Sequence, residues 1–519
     1  MRKTLTALCM VVLAVSGAVA SGAPARDAMQ IVTQTRLWRE SHENRVLDEL
    51  LEFLAIPNDA NDLGDIRRKA QWIIDAFARR GIQLRLIETG GAPYVYGEHR
   101  TPGAQRTWLF YCHYDGQSAD PSRWTGHRPW EPVFRNGRLE DGATIVERGL
   151  VRSQQNVDPD WRIYARSASD DSSPIVMLLA ALDALDAMGE APGANLKFIF
   201  EGDEEKGSPN VFAFAEEHGK LIKADFMFVT DGPKHPSGKP TVVFGVRGIT
   251  STQLTVYGPS EALHSGHFGN FAPNPAMRLA QLLATMKDLD TGEILVSGWQ
   301  DDRLPLSDAA LSAITDYPDA PARSPHALGF AEPEGPFDRR IEAITWNSLN
   351  VRGLSSAWVG TQARTLVPSE AIAELDLRLV ADTQPDTQLE RLRQHIINQG
   401  FHVIDHEPTA AERREYPRLL KMTHRQSGYP ATRTPMDLPT SRALLERLHA
   451  GFEDAPVAIP TAGGSLPLYA FSEIAGIPTV TVPVVNHDNN QHAPNENIRL
   501  GDFWKGIEIV ALLLTLEQP

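Results

Sequence analysis

The chain has 519 residues, with 50 Lys+Arg against 66 Asp+Glu and a formal net charge of −16; 42% of residues are hydrophobic and 22% charged. This composition excludes a wholly disordered chain, and the acidic balance argues against a general binder of nucleic acid or anionic membranes. At roughly 150 residues per domain, the length predicts two to four domains with cores of their own.

Arg2 and Lys3 precede an apolar run at 5–15, and Ala18-Val19-Ala20 offers a small-residue cleavage site. This pattern predicts a signal peptide over residues 1–20, and with it an exported protein, periplasmic or secreted. The run is shorter than the ~20 residues of a membrane span, so no stable membrane span is expected after cleavage. Cys9 lies inside it, which leaves Cys112 as the single mature thiol, expected in a buried strand and without an internal disulfide.

Helical patterns follow at 45–54 and 65–81, the second with Asp65 as N-cap and Gly81 as stop. Short apolar runs at 108–112, 196–200, 226–229 and 478–485 read as strands, and helical patterns at 174–188, 466–475 and 503–514 separate or follow them. Strands alternating with helices predict an α/β catalytic domain, its central sheet mostly parallel and flanked by helices.

The middle of the chain differs. Segments 251–257 and 371–380 alternate polar and apolar residues, the pattern of half-solvated antiparallel strands. Helices are expected at 275–286, capped by Asn274, and at 388–398, ended by Gly400. An inserted α+β domain is therefore expected at 245–412, leaving 21–244 and 413–519 to the larger domain. Segments 140–159 and 297–336 show no usable period and read as loops or insertions.

Five polar sites stand out, and four of them follow predicted strands. His113-Tyr114-Asp115 places an imidazole and a carboxylate on one side of an extended segment. The carboxylate can hold one ring nitrogen and free the other for a metal. Asp170-Asp171 precedes a helix, where an acidic N-cap needs no metal. In Glu201-Gly202-Asp203-Glu204-Glu205, crowded carboxylates at a buried strand end call for a cation or a shared proton. Two adjacent glutamates can divide the work, one as ligand and one as general base. Asp231 and the stretch 486–492 with its histidines complete the set. Each is weak alone; together they fit the crevice at the carboxyl ends of strands in an open α/β sheet. Mixed imidazole and carboxylate donors suit zinc or a similar divalent ion.

In order and spacing these residues resemble the M20 metallopeptidases, most closely the carnosine dipeptidase and glutamate carboxypeptidase branch. The resemblance rests on His113-Tyr114-Asp115, Asp170-Asp171 with its upstream Tyr-x-Arg, Glu204-Glu205 followed by Gly207-Ser208, Asp231 and His492. It implies a ferredoxin-like lid or dimerisation domain as the insert. It also implies two divalent metal ions, zinc by default with manganese or cobalt possible alternatives. Asp170 would bridge them, with His113, Glu205, Asp231 and His492 completing the ligands. Glu204 would be the general base, and Asp115 would orient His113. The lid histidine His264 would reach a partner's site in a homodimer. Thr365, Arg378, Gly464 and Ser465 would hold the substrate backbone or carboxylate. Ser172-Ser173 stands where the family usually has Lys-Gly, and Ala165 and Ser167 where it usually has glycines. The expected activity is exopeptidase hydrolysis of dipeptides or short peptides. N-acyl-amino-acid deacylation is the alternative substrate class. A catalytically silent binding protein is the third reading, and the complete ligand set speaks against it.

Overall fold

The computed structural model describes residues 27–154 and 157–517; the expected signal peptide and Cys9 lie outside them. Its largest sheet has eight strands in the order Leu84–Ile87, Tyr94–His99, Asn195–Glu201, Thr107–His113, Phe226–Val229, Thr479–Thr481, Thr241–Val243, Val457–Ile459. The four strands from Asn195–Glu201 to Thr479–Thr481 run parallel. Antiparallel pairings flank them, so the sheet is mixed with a parallel centre.

The parallel centre is buried on both faces, which is why its strands read as unbroken apolar runs. Trp108, Phe110 and Cys112 point into one core with Phe198, Phe200 and Phe228. The alternate residues Leu109, Tyr111, Ile199, Met227 and Val229 point into a second. The first core is covered by helices Ala28–Leu54, Leu63–Ala78, Ser172–Met188 and Leu500–Leu514. The second is covered by Val211–Ile222 and the π-helical turn Ala470–Ile474. Cys112 is buried and free, its Sγ 3.0 Å from the Thr230 hydroxyl.

Several element limits differ from expectation. The first helix spans 27 residues, Ala28–Leu54; it begins well before the expected start at Arg45, and its first half carries the helical spacing Ala28, Ile31, Val32, Thr35 and Trp38. The second starts at Leu63, capped by the Asp62 carboxylate, which accepts from Gly64 N and Asp65 N; Asp65 lies in the first turn. In 466–475 only Ala470–Ile474 is assigned as helix, in π form, and Gly476 leaves the turn at φ +68°. In 478–485 the ladder covers Thr479–Thr481 alone, and Pro483 further on has no N–H to donate.

A five-stranded sheet, in the order Ser348–Ser355, Glu370–Leu379, Gly248–Tyr257, Leu419–Tyr429, His402–Ile404, forms the insert. The Glu370–Leu379 strand alternates buried and half-exposed residues. Its buried face packs on helices Pro275–Ala284 and Pro385–Asn398. Asn274 caps the first of these as expected. Leu419–Tyr429 lies past residue 412, so the expected border falls short of the last strand in this sheet. Segment 297–336 is also more than a loop. It contains helix Asp308–Asp316, capped by Ser307, whose Ala310 joins the main core beside the eight-stranded sheet. The polar residues around that helix hid its period. Segment 140–159 contributes strand Ile145–Val146 to a small sheet with Val133–Arg135, Arg162–Tyr164 and Asn497–Arg499.

The chain enters and leaves the insert side by side: Gly245 pairs with Arg433, and Val246 with Thr432. Two glycines permit this approach. A Cβ at Gly245 would lie 2.4 Å from Thr432 O, and one at Gly248 would lie 2.5 Å from Ala431 N.

Candidate active site

Parallel strands bring their carboxyl ends to one edge of the sheet, and the polar sites sit there. His113 is the last residue of its strand; Glu204 and Glu205 lie in a 3₁₀ turn after Asn195–Glu201; Asp231 follows Phe226–Val229 by two residues. Asp170 and Asp171, joined by a cis peptide bond, precede the Ser172–Met188 helix.

Asp170 stands at the centre. Its Oδ1 is 2.8 Å from His113 Nε2, and its Oδ2 is 2.9 Å from His492 Nε2. His492 Nε2 also lies 3.0 Å from Glu205 Oε2. Two donor groups result: His113, Asp170 and Asp231, and Asp170, Glu205 and His492, the atoms of each lying within 4.8 Å of one another. They share Asp170, with one carboxylate oxygen facing each histidine. Imidazole nitrogens and carboxylate oxygens at this spacing form a donor set fitted to divalent cations.

The electrostatics point the same way. Burial pushes the Asp231 carboxyl up to about 6, and the nearby Asp170 adds to this. Glu204 is raised well above the carboxylate range by burial and by repulsion from Asp231, Asp170 and Glu205, against the pull of His113. Burial opposes charge on His113, yet the Asp115 and Asp170 carboxylates raise it well above the ordinary histidine value. Asp170 and Glu205 raise His492 to about 10. Among the described residues, the only cationic groups in direct contact with Asp170 are these two imidazoles. A buried cluster with more carboxylates than imidazoles is relieved by a cation.

Asp115 is fully buried and joins two parts of the site. Its Oδ1 is 3.3 Å from His113 Nδ1. It also accepts the backbone N–H of Glu204 at 3.2 Å and of Glu205 at 2.9 Å. One carboxylate thus orients the imidazole and fixes the glutamate turn. Glu204 Oε2 lies 4.0 Å from His113 Nε2, beside both donor groups. Asp171 points elsewhere, its Oδ2 accepting from His113 N at 3.1 Å.

The expected substrate contacts fall into two places. Arg378 donates from Nη1 to the Ser465 hydroxyl at 2.8 Å, and its Nε is 3.3 Å from Asp376 Oδ2. Gly464 O accepts from Arg247 N, so this loop is stitched to the insert. His264 and Thr365 lie apart from these. Leu263–His264 pairs with Leu366–Val367, and Ser265 N donates to Thr365 O. His264 is exposed; its Nδ1 accepts from Gly266 N, and its ring is 4.8 Å from that of His267. Among the described residues, no hydrogen bond or ion pair joins His264 to the carboxylate cluster.

Comparison with known proteins fixes the family. Residues 147–516 match Peptidase family M20/M25/M40, more than half of the chain. The chain belongs to peptidase family M20/M25/M40. It is a metal-dependent hydrolase, as the M20 resemblance of its motifs implied. It is 25% identical over 492 residues to the Cys-Gly metallodipeptidase dug1 of Schizosaccharomyces pombe, covering 91% of this chain and 95% of that protein. It is 23% identical to the Beta-Ala-His dipeptidase of Homo sapiens, covering 91% of this chain and 89% of the relative. A solved M20 family metallo-carboxypeptidase, Sso-CP2 from Sulfolobus solfataricus, superposes with a TM-score of 0.71 at 28% identity, over 91% of this chain and 98% of that one.

Sequence reasoning missed several residues of this M20 site. Gln491 donates to Asp170 Oδ2 at 2.9 Å, and Gln117 to Glu205 Oε2 at 2.9 Å. Arg162 grips the loop that carries His492 through both carboxylate oxygens of Asp488. Lys69 is fully buried beneath the site, its ammonium 2.8 Å from the Ser172 hydroxyl. A lysine in the apolar stripe of a helix was the available signal for this last residue. The others carry none, because their partners lie tens to hundreds of residues away.

Proposed function

We propose that the chain is an exopeptidase that holds two divalent cations and hydrolyses dipeptides or short peptides with a free carboxylate. The observation that carries this reading is Asp170, with one oxygen toward His113 and the other toward His492, between two complete donor groups. Both similar curated proteins are named as dipeptidases. His113, Asp170 and Asp231 would hold one ion, and Asp170, Glu205 and His492 the other, zinc by the chemistry of the donors, or manganese or cobalt. Ions held there polarise the scissile carbonyl and lower the pKa of water.

The chain's own residues do the rest. Glu204 takes the proton of the attacking water and passes it to the leaving amine. Asp115 keeps His113 and the Glu204 turn in register. Arg378 offers a planar guanidinium to the substrate carboxylate; Ser465 already holds one of its nitrogens, with Gly464 beside it, while Thr365, bonded to the His264 turn, would reach the substrate together with His264. His264 supplies a proton donor for the developing oxyanion from the partner copy in a homodimer. Its exposure and the absence, among the described residues, of any hydrogen bond or ion pair to its own cluster support that assignment. So does the edge strand Ser348–Ser355, which leaves Val351 and Leu354 exposed beside Trp358 and Val359. The pattern at residues 1–20 supports export.

The Glu204→Gln substitution tests the reading. We expect a fall in kcat of at least 10³-fold on a dipeptide panel, with metal content per chain unchanged. Near-normal turnover would remove Glu204 from the mechanism. N-acyl amino acids run beside the dipeptides separate peptidase from deacylase.

A further inference from the structure

The histidine and the aspartate that meet in the second donor group come from unrelated parts of the chain. Asp170 ends the loop after Arg162–Tyr164, and His492 lies in the loop after Thr479–Thr481. The strands beside the two loops, Arg162–Tyr164 and Asn497–Arg499, pair antiparallel and bring the loops together, but that ladder ends at Tyr164 and Asn497, short of Asp170 and His492. Four residues beyond His492, the carboxylate of Glu496 crosses from one loop to the other. It is fully buried. Its Oε1 accepts the backbone N–H of Ser169 at 2.9 Å and of Asp170 at 3.0 Å. Its Oε2 accepts the N–H of Ser167 at 2.9 Å and Arg166 Nη1 at 2.8 Å.

Every acceptor direction of this carboxylate is therefore spent on residues 166–170. The backbone reinforces the junction. Ala165 N donates to Glu496 O at 3.1 Å, and the Ser169 hydroxyl donates to Asn497 O at 2.6 Å. Arg166 is also buried; its guanidinium lies 5.4 Å from the Trp124 ring, which closes the pair off from solvent. Charge-assisted bonds of this kind are short and roughly twice as strong as neutral ones. Three backbone donors left facing nothing would each carry the full desolvation penalty of an unmet buried donor.

We infer that Glu496, neutralised by Arg166, is the positioning residue that sets Asp170 at the distance from His492 needed to hold the second cation. This rests on the two-cation reading above and goes beyond it: Glu496 touches neither cation nor substrate and acts through the Asp170 backbone. A merely structural Glu496 would support the fold equally in metal-free and metal-loaded protein. A positioning Glu496 adds a specific demand on metal affinity.

The experiment uses the whole chain, stripped of metal and titrated with zinc in a calorimeter, with the metal-free thermal midpoint read alongside. Glu496→Gln turns one carboxylate oxygen into an amide donor that faces backbone donors. We expect zinc affinity to fall 10–100-fold, the range for residues that orient ligands, most strongly for the weaker of the two binding events. Arg166→Met leaves the three backbone bonds in place and removes the charge that holds the carboxylate. We expect it to weaken zinc 3–10-fold, and it carries the test alone if Glu496→Gln does not fold. Zinc affinity within twofold of wild type in the folded variants overturns the inference, even when the metal-free midpoint drops, because that is the signature of a structural role. Failure of the wild-type chain to bind zinc, manganese or cobalt overturns the two-cation reading itself and the inference with it. The two failures are therefore distinguishable.

Discussion

Lys69 offers a sharp test of the electrostatics beneath the site. Its ammonium is fully buried, 4.4 Å from the Phe53 ring centre, with the Ser172 hydroxyl as its hydrogen-bond acceptor. Burial lowers its pKa from 10.5 to about 7, against a partial pull from Glu496 and Asp115. That gap corresponds to ~5 kcal/mol of penalty on the charged form. The sign follows from proton counts. Below pH 7 the folded and unfolded chains both hold the proton, and the full penalty is present. Between about 7 and 10.5 only the unfolded chain holds it, so stability rises with pH. Lys69→Met keeps the shape and removes the charge. It gives up one hydrogen bond, worth about 1 kcal/mol. The variant should therefore melt above wild type at pH 6, by the equivalent of several kcal/mol. Its advantage should shrink steadily as pH rises to 9. Calorimetric melting of both metal-free proteins across pH 6–9 reads this directly. A variant destabilised equally at both ends would refute the reasoning, because it would mean the ammonium is well solvated or strongly paired in the fold.

Other predictions concern the site. Asp115→Asn presents an amide donor to the N–H groups of Glu204 and Glu205 and loosens His113; zinc affinity should fall about 10–100-fold by calorimetry, and an unchanged value would remove Asp115 from the ligand-orienting role. Arg378→Lys replaces a planar fork by a point charge. KM for dipeptides should rise about 10-fold or more with little change in kcat, whereas an equal fall in kcat would place Arg378 in the chemical step. Leu354→Glu on the exposed edge strand should shift the protein toward monomer in sedimentation if that edge pairs two copies, and an unaltered dimer would move the interface elsewhere.

How much was legible depended on whether the information was local. The strands at 108–112, 196–200 and 226–229 were visible because burial on both faces leaves an unbroken apolar run. Their polar ends then marked His113, Glu204, Glu205 and Asp231 as candidates, each weak alone and carried only by the ordered series they form together. Asp170 was harder: in isolation an acidic pair before a helix is a good cap, and only its place in an ordered series marked it. Glu496 and Arg162 were invisible, because each is defined by partners on a different loop. The insert's last strand escaped notice because Leu419–Tyr429 lies past a polar helix, Ala410–Glu415, that resembles an exit from the domain. Helix Asp308–Asp316 escaped for a related reason, since it returns to the main core from within a sequence rich in Asp, Pro and Ser.

The paired crossing at Gly245–Val246 and Thr432–Arg433 gives the insert two antiparallel tethers instead of one. A single tether would let the five-stranded sheet swivel and tilt freely over the metal edge. Two tethers hydrogen-bonded side by side leave one soft direction, a rocking about the line of the ladder. Arg378, Gly464 and Ser465 sit beside that line, where rocking displaces atoms least. The Ser348–Ser355 edge is carried on the five-stranded sheet, and His264 on a separate pairing of Leu263–His264 with Leu366–Val367. Arg378 and Ser465 thus sit at the crossing itself, where such rocking would change their spacing least, and a side chain added at Gly245 or Gly248 would act as a wedge between the two tethers.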